Sequence, residues 1–114
     1  MVFLRQEKRN FDRINLRAPL AAQVRGSAAS NNTLTENISL GGVGIVNNEF
    51  LNPGAVLSLK INILSRVLSA TGKVSWFTNL PHSNRFRTGI EFVELDSRDK
   101  AYLSDYINMQ TRRI

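Results

Sequence analysis

The chain has 114 residues, 42% of them hydrophobic and 21% charged, the proportions of one globular domain with its own core rather than of a disordered segment. No apolar run approaches the roughly 18–20 residues that span a bilayer, and the start, Met1-Val-Phe-Leu-Arg5, lacks the apolar segment and cleavage site of a signal peptide, so a cytoplasmic chain without a membrane span is expected. There is no cysteine, which excludes disulfide frameworks, thiolate nucleophiles and Cys-based zinc sites.

Fifteen basic residues against nine acidic ones leave a net charge of +6, and eleven of the fifteen are arginines. Arginine carries a planar donor fork that matches phosphates and base edges, where lysine offers a point charge. The charge is concentrated early: Arg5, Lys8, Arg9, Arg13, Arg17 and Arg25 stand against Glu7 and Asp12. Such a segment favours an anionic partner, a nucleic acid, a nucleotide or an acidic surface; on charge alone a solvated arm that improves solubility fits equally well. Residues 1–17 are polar and basic and read as a flexible arm outside the core.

From residue 18 the period becomes two, the mark of half-buried strands. Leu20, Ala22 and Val24 alternate with Ala21, Gln23 and Arg25, and the small polar stretch 26–32 makes a loop. Leu34, Glu36, Ile38 and Leu40 then take one face, with Thr35, Asn37 and Ser39 on the other. Gly41, Gly42 and Gly44 permit a sharp bend. After a Pro53-Gly54 turn, Leu57, Leu59, Ile61 and Ile63 alternate with Ser58, Lys60 and Asn62. Leu68, Ala70, Gly72, Val74 and Trp76 repeat the pattern, and Phe86, Thr88, Ile90 and Phe92 close it. Short one-faced strands joined by turns predict an antiparallel sandwich or closed barrel, spanning 18–95. Residues 96–114 predict a C-terminal helix, over 97–112, with Asp96 or Ser97 as cap, Asp99 in the first turn, Arg112 and Arg113 in the last, and an apolar face of Tyr102, Leu103, Tyr106 and Ile107. The whole is one domain, 1–114.

Catalytic patterns are lacking. The lone His82 sits in a Pro/Ser/Asn loop without ligand-spaced neighbours. Glu91, Glu94, Asp96, Asp99 and Asp105 suit strand surfaces and helix capping better than acid–base work, and no metalloprotease, nucleophile-elbow or phosphate-loop motif occurs. A non-enzyme without cofactor or metal is expected. Two elements stand out instead. Arg5, Arg9, Arg13 and Arg17 repeat at intervals of four, so that neighbouring guanidiniums can approach one ligand. Asn37-Ile-Ser39-Leu-Gly41-Gly42 projects two polar side chains from a strand face, ahead of a glycine that admits a ligand to the backbone. Each alone is weak; about one Arg-xxx-Arg arises by chance in so arginine-rich a chain. In this order, on a basic arm and a barrel strand, they are far more specific.

With these residues in place the chain resembles the PilZ domain, a bacterial receptor module for cyclic di-GMP. Lys8-Arg9-Asn-Phe-Asp-Arg13 is similar to the family's Arg-xxx-Arg arm, Asn37-Ile-Ser39-Leu-Gly41-Gly42 to its second motif, and the strands ending Gly72-Lys-Val-Ser-Trp76 and Thr88-Gly89-Ile-Glu-Phe92 to its closing strands. The resemblance implies a mainly β fold, a six-stranded antiparallel barrel with a C-terminal helix. It implies that Arg9 and Arg13 hold phosphates and guanines, that Asn37 and Ser39 bond to base or phosphate, and that Gly42 admits the ligand, with Arg5, Lys8 and Gly41 close by. Trp76 either stacks on a guanine or packs in the core beside Val74. Lys8 stands where the family often has another arginine, which weakens the case for a second stacked ligand. The implied role is a signalling receptor that relays cyclic di-GMP binding to a downstream protein. The competing readings are a small basic barrel for single-stranded nucleic acid, disfavoured because Phe86 and Phe92 lie on the apolar face, and a scaffold that binds a protein without nucleotide.

Overall fold

The computed structural model describes residues 12–112. Among the described residues seven strands and one helix follow in order: β1 (Ile14–Asn15), β2 (Pro19–Val24), β3 (Ser30–Ser39), β4 (Gly42–Asn47), β5 (Val56–Ile63), β6 (Arg66–Asn79), β7 (Phe86–Leu95) and α1 (Ser97–Thr111). The sheet runs β1-β3-β2-β5-β6-β7-β4, and β4 also pairs with β3. That last pairing closes β2 to β7 into a six-stranded barrel, all of whose pairings are antiparallel, with β1 added as an extra strand on β3. Closure removes the free edges of an open sheet. The mainly β barrel with a C-terminal helix is borne out.

Strict alternation builds the regular wall. Leu57, Leu59, Ile61 and Ile63 of β5 point inward while Ser58, Lys60 and Asn62 face water. They meet Leu20 and Ala22 of β2, Leu68 and Val74 of β6, and Val43 and Ile45 of β4 in one buried cluster, which Leu103 and Ile107 of α1 join. Each fully buried aliphatic side chain of this kind contributes about 1.5–3 kcal/mol.

Several expectations need correction. Residues 12–17 are not all free arm: Ile14 and Asn15 pair with Ile38 and Asn37 of β3, and half-buried Ile14 and Leu16 pack on the core, because apolar residues interrupt the basic run there. Residues 1–11, with Arg5, Lys8 and Arg9, lie outside the described residues. The loop expected at 26–32 is shorter, since Ser30 already pairs with Gln23; Gly26, at φ 89°, makes the tight turn. On β3 a bulge between Thr35 and Asn37 breaks the phase, so Leu34 is 44% exposed and Thr35 only 1%. Its hydroxyl is satisfied inside, accepting the Ala18 N–H at 2.9 Å and donating to the Leu16 carbonyl.

The core alternative for Trp76 also fails. A second bulge, between Val74 and Trp76, leaves Val74 buried and turns Trp76 outward, 49% exposed. Phe92 packs against the core, but Phe86 joins Phe50 and Phe77 in a separate edge-to-face cluster, with ring centroids 4.8–6.3 Å apart. At α1, the Asp96 cap makes no side-chain bond and no basic residue sits in the last turn, Arg112 having left the helix; Arg113 lies outside the described residues. Asp99 clips the helix to the barrel instead. It accepts from Arg66 Nε at 3.0 Å and from the Ser69 N–H at 3.1 Å. Tyr102, beneath the Arg66 guanidinium, donates to the Ile63 carbonyl at 3.1 Å.

Candidate functional site

Cross-strand register assembles the site on the outer face of the barrel. Asn37 on β3 faces Gly44 on β4, Gly44 faces Gly89 on β7, and Gly89 faces Trp76 on β6. These four residues form one row across four strands, roughly 14 Å from end to end at about 4.8 Å per strand. Two residues further along on β3, β4 and β7, and three on the bulged β6, lies a parallel row of Ser39, Gly42, Glu91 and Lys73. The middle of the first row, Gly44 and Gly89, carries no side chain, and in the second Glu91 stands beside Gly42. A Cβ on Gly44 would lie 2.8 Å from Asn37 Oδ1, and one on Gly89 would lie 2.2 Å from Trp76 Nε1. Asn37 and Trp76 therefore fold inward over a glycine floor from opposite sides.

The resulting cleft, about 450 Å³, is lined by both polar motif residues of β3, by Trp76 and Glu91, and by Arg13. Arg13 leaves the chain immediately before β1 and reaches across to donate from Nη1 to Asn37 Oδ1. This bond joins the arm motif to the strand motif. Partial burial of the guanidinium lowers the Arg13 pKa from its ordinary value, a direction that an arriving anion would oppose. Beside it, on the neighbouring outer surface, Glu36 and Arg87 form a two-pronged ion pair at 2.8 and 3.1 Å, which raises the Arg87 pKa through the hydrogen bond and charge of Glu36.

The other motif residues divide by task. Ser39 lines the cleft but is only 2% exposed, and its Oγ accepts the Gly41 N–H at 3.1 Å, holding the two-residue turn between β3 and β4. Gly41 also lines the cleft, and its carbonyl accepts the Phe92 N–H at 2.9 Å. Gly42 cannot be another residue here, because a Cβ would sit 2.3 Å from the Ile90 carbonyl oxygen. The sequence reading did not single out Gly44 and Gly89 as site residues, and it placed Glu91 on a strand surface. A period-two count does mark 89 and 91 as outward neighbours, but nothing in the order of residues tells which strands lie beside them.

A wider groove of about 770 Å³ lies along the N-terminus of α1, lined by Lys60, Lys100, Glu94 and Asp96 among others; its charges are of both signs and it holds neither motif. Among the described residues no group of three His, Cys, Asp or Glu can hold a metal ion, and no helix is long and apolar enough to cross a membrane. A flat floor with an aromatic ring on one side and a guanidinium–amide pair on the other suits a ligand with a planar ring and an anionic group.

Comparison with known proteins bears on that chemistry. The chain is similar to the Bacillus subtilis inhibitor of motility MotI/DgrA, at 24% identity and a TM-score of 0.78, over 92% of this chain and 53% of that one. It is similar to the PilZ domain of Escherichia coli YcgR, solved with c-di-GMP, at 15% identity and a TM-score of 0.70, over 90% of both chains. The Borreliella burgdorferi PlzA protein in complex with c-di-GMP matches at 18% identity and a TM-score of 0.66, over 94% of this chain and 44% of that one. The chain thus spans about half the length of MotI/DgrA and of PlzA. No curated protein sequence matches. The PilZ domain model matches residues 5–109, a stretch that takes in most of the arm, all seven described strands and nearly all of α1, and with the barrel, the helix and Arg13 meeting the strand motif at one cleft, the chain belongs to the PilZ domain family.

Proposed function

We propose that this chain is a receptor for cyclic di-GMP, binding it at the cleft between Arg13, Asn37 and Trp76 without catalysing a reaction on it. The observation that carries the proposal is the Arg13–Asn37 hydrogen bond, which brings two motifs 24 residues apart to one end of a glycine-floored cleft facing an exposed indole. Arg13, with Arg9 from the preceding arm, supplies bidentate donors for phosphate oxygens or for guanine O6 and N7. Asn37 supplies an amide edge, Gly42 and Gly41 keep the floor open, and Trp76 offers a ring face to a base. Arg5 and Lys8 add positive charge on the approach. That family relatives are solved with c-di-GMP supports the choice of ligand.

Binding is relayed, in this proposal, through β1. Ile14 follows Arg13 directly, Asn15 pairs with Asn37, and β1 lies against α1, so a clamp closing on Arg13 pulls on the strand that the helix touches. A downstream protein would read the moved helix.

Titration calorimetry with cyclic di-GMP tests the reading. Micromolar affinity or tighter is expected, about −8 kcal/mol or better, and it should survive moderate salt. No heat at concentrations well above micromolar would end the proposal. Affinity for single-stranded DNA that collapses with salt would favour the nucleic-acid reading instead.

A further inference from the structure

The groups lining the cleft are unequal in hydrogen-bonding character. Arg13 and the Asn37 amide nitrogen only donate. Of the side-chain acceptors, Asn37 Oδ1 already accepts from Arg13, Ser39 Oγ already accepts from Gly41 and is nearly occluded, and the exposed Ser75 hydroxyl can donate as well as accept. Glu91 is different. It stands on the outward face of β7, exposed, two residues from Gly89 and across from Gly42. Lys73 is its register partner on β6, yet the ion pairs among the described residues are Arg66–Asp99 and Arg87–Glu36. Glu91 lines the cleft, and its carboxylate is an acceptor with no side-chain partner among the described residues.

A carboxylate accepts and cannot donate, and it repels a phosphate diester. It is out of place in a cleft for anions unless the ligand also brings donors. A guanine does so on its Watson–Crick edge, where N1–H and the N2 amino group lie side by side, matching two carboxylate oxygens. An adenine presents an acceptor at N1 beside its amino group and would leave the carboxylate opposed by a lone pair. With Arg13 at the Asn37 end and Glu91 on the β7 side, one ligand can place its phosphate at the first and a base edge at the second.

We propose that Glu91 reads the Watson–Crick edge of a guanine in the bound ligand and so sets the preference for guanine over other purines. This rests on the cyclic dinucleotide reading above. The experiment compares cyclic di-GMP with cyclic di-IMP, whose hypoxanthine keeps N1–H, O6 and N7 but lacks the N2 amine, on the unaltered chain and on Glu91→Ala and Glu91→Gln. The unaltered chain should prefer cyclic di-GMP by about tenfold, the size of one hydrogen bond to a charged group. Glu91→Ala should lose that preference, binding cyclic di-GMP about tenfold more weakly and cyclic di-IMP with a smaller loss. Glu91→Gln, which turns one acceptor into a donor, should fare no better than alanine with cyclic di-GMP. Melting temperatures should be unchanged, because the side chain is exposed. If Glu91→Ala binds cyclic di-GMP as well as or better than the unaltered chain, or keeps the preference over cyclic di-IMP, the carboxylate is a solvated surface charge and the proposal is overturned. If the unaltered chain binds neither nucleotide, the receptor reading falls, and this proposal with it.

Discussion

Along β5 every second side chain from Leu57 to Ile63 is buried, and each residue has one partner on β6. Along β3 and β6 the same alternation slips, between Thr35 and Asn37 and again between Val74 and Trp76. Without those slips Asn37 would share the inward face of Thr35, and Trp76 that of Val74, since side chains two apart on a regular strand point the same way. Each of these two bulges turns outward a residue that unbroken alternation would bury, whereas the further shift between Thr71 and Gly72 leaves the buried face of β6 unchanged. A bulge costs ladder pairing and re-aims a side chain, and here both re-aimed residues line the same cleft. The regular wall holds the barrel together; the irregular wall builds the site.

Truncating the regular wall should give the largest effect. Leu59→Ala removes a side chain that is fully enclosed and should cost about 2–5 kcal/mol in denaturant unfolding, while leaving nucleotide affinity unaltered at temperatures where the variant is folded. A comparable loss of affinity would mean that the two walls are not separable. Arg13→Ala is the reverse case. It should weaken cyclic di-GMP binding by about 1.5–3 kcal/mol with stability changed by no more than about 0.5 kcal/mol, and calorimetry paired with melting curves reads both.

The helix clip belongs to the regular side, at the β5–β6 hairpin. Burial alone would raise the Asp99 pKa, but the Ser69 N–H and the Arg66 guanidinium outweigh it and hold the carboxyl below its ordinary value. A carboxyl with a lowered pKa in the folded chain adds stability that is complete above the unfolded value near 3.9 and fades as pH falls through the folded value. Asp99→Asn should therefore be less stable than the unaltered chain at pH 7, by about 1.5–3 kcal/mol, and the gap should shrink as pH drops below about 4. A gap that stays constant from pH 7 to 3 would show that the ionised carboxylate is not what the helix depends on.

The barrel was legible in the sequence because its evidence is local and repeated: Leu57-Ser-Leu-Lys-Ile-Asn-Ile63 states its own inward face. Its helix was legible from the i,i+4 spacing of Leu103 and Ile107, both buried. Of the candidate site, Arg13, Asn37, Ser39, Gly41 and Gly42 were legible through the two motifs and Trp76 through the family resemblance, and these six line one cleft. What could not be read was adjacency. Leu34 and Thr35 exchange faces, and Trp76 leaves the core, because a single unpaired residue shifts the phase of all that follows, and no residue type announces a bulge. Gly44 and Gly89 look like ordinary strand glycines until register sets Asn37 over one and Trp76 beside the other.

That last pair supplies the smallest and sharpest test. A Cβ at residue 89 would lie 2.2 Å from Trp76 Nε1, 2.3 Å from Cε2 and 2.8 Å from Cζ2, so Gly89→Ala must lift the indole off its seat. Gly89 has no left-handed backbone angle to protect, and alanine in a strand is otherwise favoured over glycine by about 0.5–1 kcal/mol. The melting temperature should hold or rise slightly while the platform for a stacked base is lost, at about 1 kcal/mol of nucleotide affinity. Trp76 is the chain's single tryptophan, so its emission reports the displacement directly and without ligand. The spectrum should shift in Gly89→Ala. Combined with Trp76→Ala, the glycine substitution should cost no further affinity, because the ring through which it acts has gone. An additional loss in the double variant would place the effect of Gly89 in the floor itself rather than in the tryptophan above it.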